Sequence, residues 1–210
     1  MASSQGMLLL RGSFITLDEL ITSLGFGKAT KVLWELSKII NKGGAFGHLP
    51  PHEDQRINDS RDQLKLAVNL FLALQKVLGD DDQAYKHTRR IVLLSAVMLL
   101  RTVYPSFEGG DFTKIVAGGD QEQASSRLSA EFPFADTEPA GISRDRIGFD
   151  VKVCRIPIVL AEVGADRLAP IFCEVDKMYF PIYAPEIEMT RTETLVLGGD
   201  RCDFRFEYRS

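Results

Sequence analysis

The chain has 210 residues, of which 45% are hydrophobic and 26% are charged, values typical of a globular protein with one substantial core. Its formal net charge of −4 gives no electrostatic reason to bind nucleic acid or an anionic membrane surface. The three cysteines include no CxxC pair, which argues against a disulfide framework and favours a reducing, cytoplasmic compartment. No apolar run reaches the ~20 residues that span a bilayer, so we predict no membrane segment.

Apolar residues at helical spacing dominate the chain up to residue 131. Capping-box patterns at Thr16–Glu19 and Ser60–Gln63 predict two helix starts. The apolar run IVLLSAVMLL at Ile91–Leu100 has the length of a buried helix and is expected at the centre of the bundle. We expect residues 1–13 to be a loose terminus before a single compact domain over 14–210, with 14–131 as its helical part. The predicted helices cover residues 16–24, 28–41, 60–78, 83–103, 111–116 and 120–131.

The hydrophobic period changes in the last third of the chain. The segment FPFADTEPAGIS at residues 132–143 carries two prolines and a glycine and is predicted to be the boundary between the helical part and the rest of the chain. Residues 147–156 alternate like a strand, and 157–163 and 166–178 have helical spacing. We expect 144–210 to be an α+β part that carries the site. The fold class predicted is α+β, an N-terminal helical bundle packed on a small C-terminal antiparallel sheet ending in a β-hairpin.

The predicted hairpin spans Glu186–Tyr208, with Gly198-Gly199 between two alternating runs. A two-residue turn there would place Leu195 opposite Cys202, Glu193 opposite Phe204 and Arg191 opposite Phe206. Because side chains alternate between the faces of a strand, one face would be apolar except for a thiol and two charges. That face would carry Met189, Arg191, Glu193, Leu195, Cys202, Phe204, Phe206 and Tyr208.

The two charged residues on this apolar face have two interpretations. Arg191 and Glu193 are either a partly buried ion pair or edge residues that reach water, or they form the floor of a pocket. In a pocket, the planar guanidinium of Arg191 could bind a substrate carboxylate through two parallel hydrogen bonds.

The cysteines also have two interpretations, as core residues or as reactive groups. Cys202 is either a small core residue or a nucleophile, and a nucleophile needs a nearby base or cation to form thiolate. Cys173 and Asp176 lie three apart on a predicted helix and share a face. Asp176 could orient a thiol or a water there, although its negative charge alone would raise the pKa of the thiol.

No metal site is predicted. Cys154, Cys173 and Cys202 could together offer three thiolates to zinc, but their spacing matches no standard ligand pattern. His48 and His52 flank two prolines and are interpreted as ordinary loop residues. The sequence has no P-loop, GxGxxG, nucleophile elbow or HExxH motif.

The order of several residues in the last third resembles the L-2-amino-thiazoline-4-carboxylic acid hydrolase family. Cys154 and Gly164 are followed by FCEVD at Phe172–Asp176 and TRTETLVLGGDRCDFRF at Thr190–Phe206. A more distant similarity is to the vinyl-reductase-type small-molecule-binding domains, which also end in Gly-Asp then Cys-x-Phe. The residues that match the family pattern are Cys154, Cys173, Asp176, Arg191, Thr194, Gly198, Gly199, Cys202, Asp203 and Phe204.

The resemblance implies hydrolytic opening of the cyclic amidine in 2-aminothiazoline-4-carboxylate. We expect a cofactor-independent hydrolase that opens a small carboxylated heterocycle of this kind at a C–N or C–S bond. We expect Cys173 or Cys202 as nucleophile and Asp176 as acid or base, and Arg191 as the carboxylate anchor. Glu193, Thr194 and Phe204 complete the expected substrate-binding set. Two alternatives stay open: an isomerase, cyclase or lyase of a natural-product pathway, and a non-catalytic small-molecule-binding module. The expected partner is a small-molecule substrate, and a homo-oligomer is left open.

Overall fold

Helices precede and interrupt a four-stranded sheet in the computed structural model, which describes residues 16–103, 120–130, 132 and 134–208, apart from the side chains of residues 99 and 101–103. The α+β fold class is thereby confirmed. The expected loose terminus at 1–13 and helix at 111–116 lie outside the described residues. The α-helices described are α1 (16–24), α2 (Phe26–Asn41), α3 (Gln55–Leu78), α4 (Asp81–Val103), α5 (Gln121–Ser129), α6 (Arg155–Ala161) and α7 (Ala169–Tyr183). The strands are β1 (Ala135–Pro139), β2 (Arg146–Cys154), β3 (Ile187–Thr190) and β4 (Cys202–Tyr208).

Helix α3 begins earlier than the capping pattern at Ser60 predicts. Asp54 is its N-cap, and its Oδ1 accepts a hydrogen bond of 3.0 Å from the backbone N–H of Arg56. Ser60 lies inside the helix instead, where its hydroxyl donates to the carbonyl of Arg56 at 2.7 Å. A serine hydroxyl can bond to the preceding turn as well as cap a helix, so the predicted start at Ser60 is wrong.

The four strands form one antiparallel sheet in the order β1-β2-β4-β3. Strand β1 lies within the segment 132–143, where the sequence patterns predict no strand. Its last residue, Pro139, is tolerated because β1 is an edge strand, where a missing N–H costs no ladder bond on the open side. The pairing of β1 with β2 also shifts register between Asp136 and Thr137, as in a β-bulge.

The two-residue turn predicted at Gly198-Gly199 is wrong. Strand β3 ends at Thr190, which pairs with Arg205 of β4, and residues 191–201 form a longer β3–β4 loop. This loop contains a 3-10 turn at Leu195–Leu197, followed by Gly198 at φ 88°. The pairs expected for Arg191, Glu193 and Leu195 across the hairpin therefore do not form.

Two hydrophobic clusters share helix α7. Ile171 and Val175 of this helix pack into the cluster formed with α1 to α4 and α6. Tyr179 and Phe180, further along α7, pack on the aromatic face of the sheet. Because one helix contributes to both clusters, its middle turn lies where they meet. Within the described ranges, no helix is long and apolar enough to cross a membrane.

Candidate active site

A cavity of about 170 Å³ lies between the helical cluster and the sheet. Its walls are mainly aliphatic and aromatic, and they include Leu64 of α3, Val151 of β2 and Phe172 of α7. Among the described residues that line it, Arg191 and Asp176 are the charged ones. The cavity is therefore a mainly apolar space with one cation and one anion in its wall.

Arg191 is the first residue of the β3–β4 loop, and it turns back onto α7. Its Nη1 donates to Asp176 Oδ2 at 3.0 Å, and its Nη2 donates to the carbonyl of Cys173 at 2.6 Å. The exposed fraction of the side chain is 2% for Arg191 and 13% for Asp176. Because each terminal guanidinium nitrogen carries two N–H groups, these bonds leave donors for a ligand.

The Arg191 guanidinium lies over the ring of Phe204. The Arg191 Cζ atom lies 4.7 Å from the centre of the Phe204 ring, within the range of a cation–π contact. The Phe204 ring is in turn stacked on Phe149, with centroids 5.0 Å apart, and lies 5.3 Å from the Phe132 ring. The Arg191 guanidinium thus packs on the aromatic core of the sheet.

Asp176 combines a cationic neighbour with deep burial. Burial disfavours its charged form and outweighs the hydrogen bond and charge of Arg191, so the pKa of Asp176 is raised to about 6. A carboxyl that titrates near neutral pH can both accept and return a proton during a reaction.

All three cysteines line the cavity as free thiols. Burial raises the pKa of Cys173 to about 12 and that of Cys154 to about 11, and it also raises the pKa of Cys202. The thiols are therefore protonated at neutral pH, which disfavours a thiolate nucleophile. In the described part of the chain, no group of three His, Cys, Asp or Glu side chains could hold a metal ion.

The loop after Arg191 is held by Asp203 of β4. The Asp203 Oδ1 atom accepts from the backbone N–H groups of Thr192 and Glu193, each at 2.8 Å, and its Oδ2 accepts from the Thr192 hydroxyl at 2.6 Å. Further along, the N–H of Leu195 donates to Cys202 Sγ at 3.3 Å. These contacts explain why the β3–β4 ladder stops at Thr190.

The structure brings together five of the seven predicted site residues and leaves two aside. The cavity is lined by Cys173, Asp176, Arg191, Cys202 and Phe204, but Glu193 and Thr194 are not part of its lining. Glu193 Oε1 instead lies 2.9 Å from Arg201 Nε, and buried Thr194 accepts backbone bonds from Leu197 and Gly199 at its carbonyl.

Helix α3 contributes two polar cavity residues that the sequence analysis did not assign to the site, Ser60 and Gln63. Ser60 lies four positions before Leu64 and Gln63 four positions before Ala67, which places both near the core-facing stripe of the helix. That spacing indicates side chains near the core, but the capping-box pattern assigned Ser60 and Gln63 to a helix start instead.

Most of the chain matches a known protein family. The family model for L-2-amino-thiazoline-4-carboxylic acid hydrolase matches residues 65–206, which is more than half of the chain. The chain belongs to this family, and the resemblance in the last third is confirmed. The family name implies a hydrolase. No curated protein matches the chain.

Proposed function

We propose that the protein is a hydrolase that opens a small cyclic amidine bearing a carboxylate, most simply 2-aminothiazoline-4-carboxylate. The observation that carries this proposal is the buried Arg191–Asp176 pair in the wall of a mainly apolar cavity. Membership of the hydrolase family supports the reaction class.

The charges of the cavity suit a zwitterionic ligand. An amidine is basic and carries a proton, and a carboxylate has lost one, so a cyclic amidine carboxylate has both charges and no net charge. Arg191 can bind the carboxylate and Asp176 the amidinium, since the two groups already lie side by side. A ligand with an unpaired charge would meet the high cost of burying a charge among apolar walls.

The size of the cavity suits a ligand with a single small ring. Its volume of about 170 Å³ is well below the ~300–1,000 Å³ that is usual for drug-sized ligands. The flat rings of Phe172 and Phe204 line it together with aliphatic side chains, which favours a planar, partly apolar substrate.

The proposed mechanism uses water and one carboxyl group. Water attacks the amidine carbon while Asp176 accepts its proton, so that a C–O bond forms and the electron pair of the C=N π bond moves to nitrogen. The ring C–N or C–S bond then breaks, its electron pair stays on the leaving atom, and Asp176 returns the proton to that atom. The new hydroxyl becomes a carbonyl and releases to solvent the proton that the amidinium carried. The balance is the addition of one water, with no oxidation or reduction.

We place water, rather than the thiol of Cys173 or Cys202, in the role of nucleophile. Burial raises the pKa of both thiols, so neither is a thiolate at neutral pH. As neutral groups they serve as weak donors and as a polarizable wall for the ring.

The proposal is tested by incubating the purified protein with 2-aminothiazoline-4-carboxylate and measuring the mass of the product. Hydrolysis adds one water, an isomerase leaves the mass unchanged, and a binding module leaves the compound intact. Asp176→Asn is expected to abolish the gain of water. Glu174→Gln is the matched control, because Glu174 lies on the same helix but pairs with Arg89 outside the cavity lining.

A further inference from the structure

Asp203 is bound to the two residues that directly follow Arg191. Its carboxylate accepts from both backbone N–H groups of Thr192 and Glu193 and from the Thr192 hydroxyl, at 2.6 to 2.8 Å. The side chain is buried. Burial opposes its ionisation, but the hydrogen bonds from Thr192 and Glu193 prevail and lower the pKa of Asp203. Asp203 is therefore an ionised acceptor at neutral pH.

These bonds take the place of the strand ladder. Thr190 pairs with Arg205, so a continued ladder would place Arg191 opposite Phe204 and Thr192 opposite Asp203. Instead, the Asp203 side chain binds the N–H groups of Thr192 and Glu193. The chain leaves the sheet at Arg191, whose guanidinium lies over Phe204 and reaches α7.

Other contacts hold the distal half of the β3–β4 loop. The N–H of Leu195 bonds to Cys202 Sγ at 3.3 Å, and the N–H of Gly199 bonds to the Thr194 carbonyl at 2.9 Å. The bonds to Asp203 are adjacent to Arg191 in the chain, whereas these contacts begin several residues later. Asp203 is thus placed to set the direction in which the Arg191 side chain departs.

We propose that Asp203 is a positioning residue for Arg191, which fixes the guanidinium beside Asp176 in the cavity. The inference extends the proposed function, because Arg191 is there the anchor of the substrate carboxylate. Without the bonds to Asp203, residues 191–193 gain conformational freedom. The binding of a carboxylate must then restore their order, at a cost in affinity.

The test compares Asp203→Ala with Asp203→Asn. The asparagine keeps an Oδ1 acceptor for both N–H groups, and its amide can donate to the Thr192 hydroxyl. Asp200→Ala, a change at an exposed aspartate of the same loop, is the matched control. We expect Asp203→Ala to raise KM for 2-aminothiazoline-4-carboxylate roughly tenfold or more, with a smaller change in kcat, and Asp203→Asn to restore most of it.

A second readout does not depend on turnover. The ¹⁵N–¹H resonance of the Arg191 Nε group, assigned through Arg191→Lys, reports the environment of the guanidinium in the unliganded protein. Asp203→Ala should move this resonance towards the position of a solvent-exposed arginine, while Asp200→Ala should leave it in place. An unmoved resonance in folded Asp203→Ala overturns the inference. Failure of the wild type to hydrolyse the substrate counts against the proposed function alone.

Thr192→Val keeps the inference testable if Asp203→Ala does not fold. This variant removes only the hydroxyl donor and leaves both backbone bonds to Asp203 in place. A smaller shift of the Arg191 resonance in the same direction supports the positioning role of Asp203, and no shift overturns it.

Discussion

Arg191 Nη1 lies 3.0 Å from Asp176 Oδ2, which joins the loop after β3 to the middle of helix α7 in the wall of the cavity. A buried ion pair of this kind is weak evidence for stability, because the cost of removing both charges from water offsets their attraction. In the proposed function, its position in the cavity wall serves to bind a ligand that carries both charges. The proposed hydrolysis depends on this pair, and four predictions test it.

The first prediction concerns the carboxyl group of Asp176. Replacing it by the isosteric amide in Asp176→Asn removes the proton acceptor, so kcat should fall by roughly 10²–10⁴-fold. Steady-state kinetics on the folded variant gives the value, with Glu174→Gln as the control on the same helix. Undiminished turnover by Asp176→Asn would contradict its role as general base.

The second prediction concerns the stability of the ion pair. Arg191→Ala leaves the Asp176 carboxylate buried without its partner and should cost about 3–5 kcal/mol in the free energy of unfolding. The double variant Asp176→Ala, Arg191→Ala removes both charges and should be more stable than Arg191→Ala alone. Urea unfolding measures both values. Strictly additive losses would show that the two side chains do not interact.

The third prediction concerns the thiols. Because burial raises the pKa of Cys154, Cys173 and Cys202, single Cys→Ala variants should keep turnover in the range of the wild type. Alkylation by iodoacetamide at neutral pH should be much slower in the native protein than in the unfolded chain. Loss of turnover in any one folded Cys→Ala variant would restore a thiol to the role of nucleophile.

The fourth prediction concerns pH. Asp176 acts as a base in its ionised form, so kcat/KM should rise with pH and level off above about 6. If Asp176 had to be protonated for the attack, kcat/KM would instead fall as pH rises. The same profile measured for Asp176→Asn should lose this ascending limb.

Asp176 also affects stability with a definite sign. Its pKa is about 6 in the folded state and about 3.9 in an unfolded chain, so between these values the folded state binds more protons. Its contribution is complete below the unfolded value and is lost as pH rises through about 6. Asp203 works in the opposite direction: its lowered pKa gives stability that is lost as pH falls. Urea unfolding of Asp176→Asn across this range isolates the first effect.

Local sequence patterns predicted most of the helices and two of the α7 residues that line the cavity. The helical period predicted α2 and most of α4, and the spacing of three residues placed Cys173 and Asp176 on one face, where both line the cavity. Strand β1 was missed because Pro139 indicates a loop, and only its pairing with β2 at the sheet edge makes it a strand.

The course of the β3–β4 loop could not be predicted from its own residues. Gly198-Gly199 is typical of a tight hairpin, but the Asp203 side chain competes for the N–H groups that a ladder would use. That competition ends β3 at Thr190, and Arg191 pairs with Asp176 rather than with Glu193, which was one of the two interpretations of its sequence position. The partner of Arg191 is set by tertiary contact with α7, which no local spacing contains.

The mass of the product formed from 2-aminothiazoline-4-carboxylate tests the central claim most directly. The wild-type protein should yield a ring-opened product heavier by one water, and folded Asp176→Asn should yield almost none. A product of unchanged mass, or intact compound after incubation with the wild type, would contradict the assignment as a hydrolase.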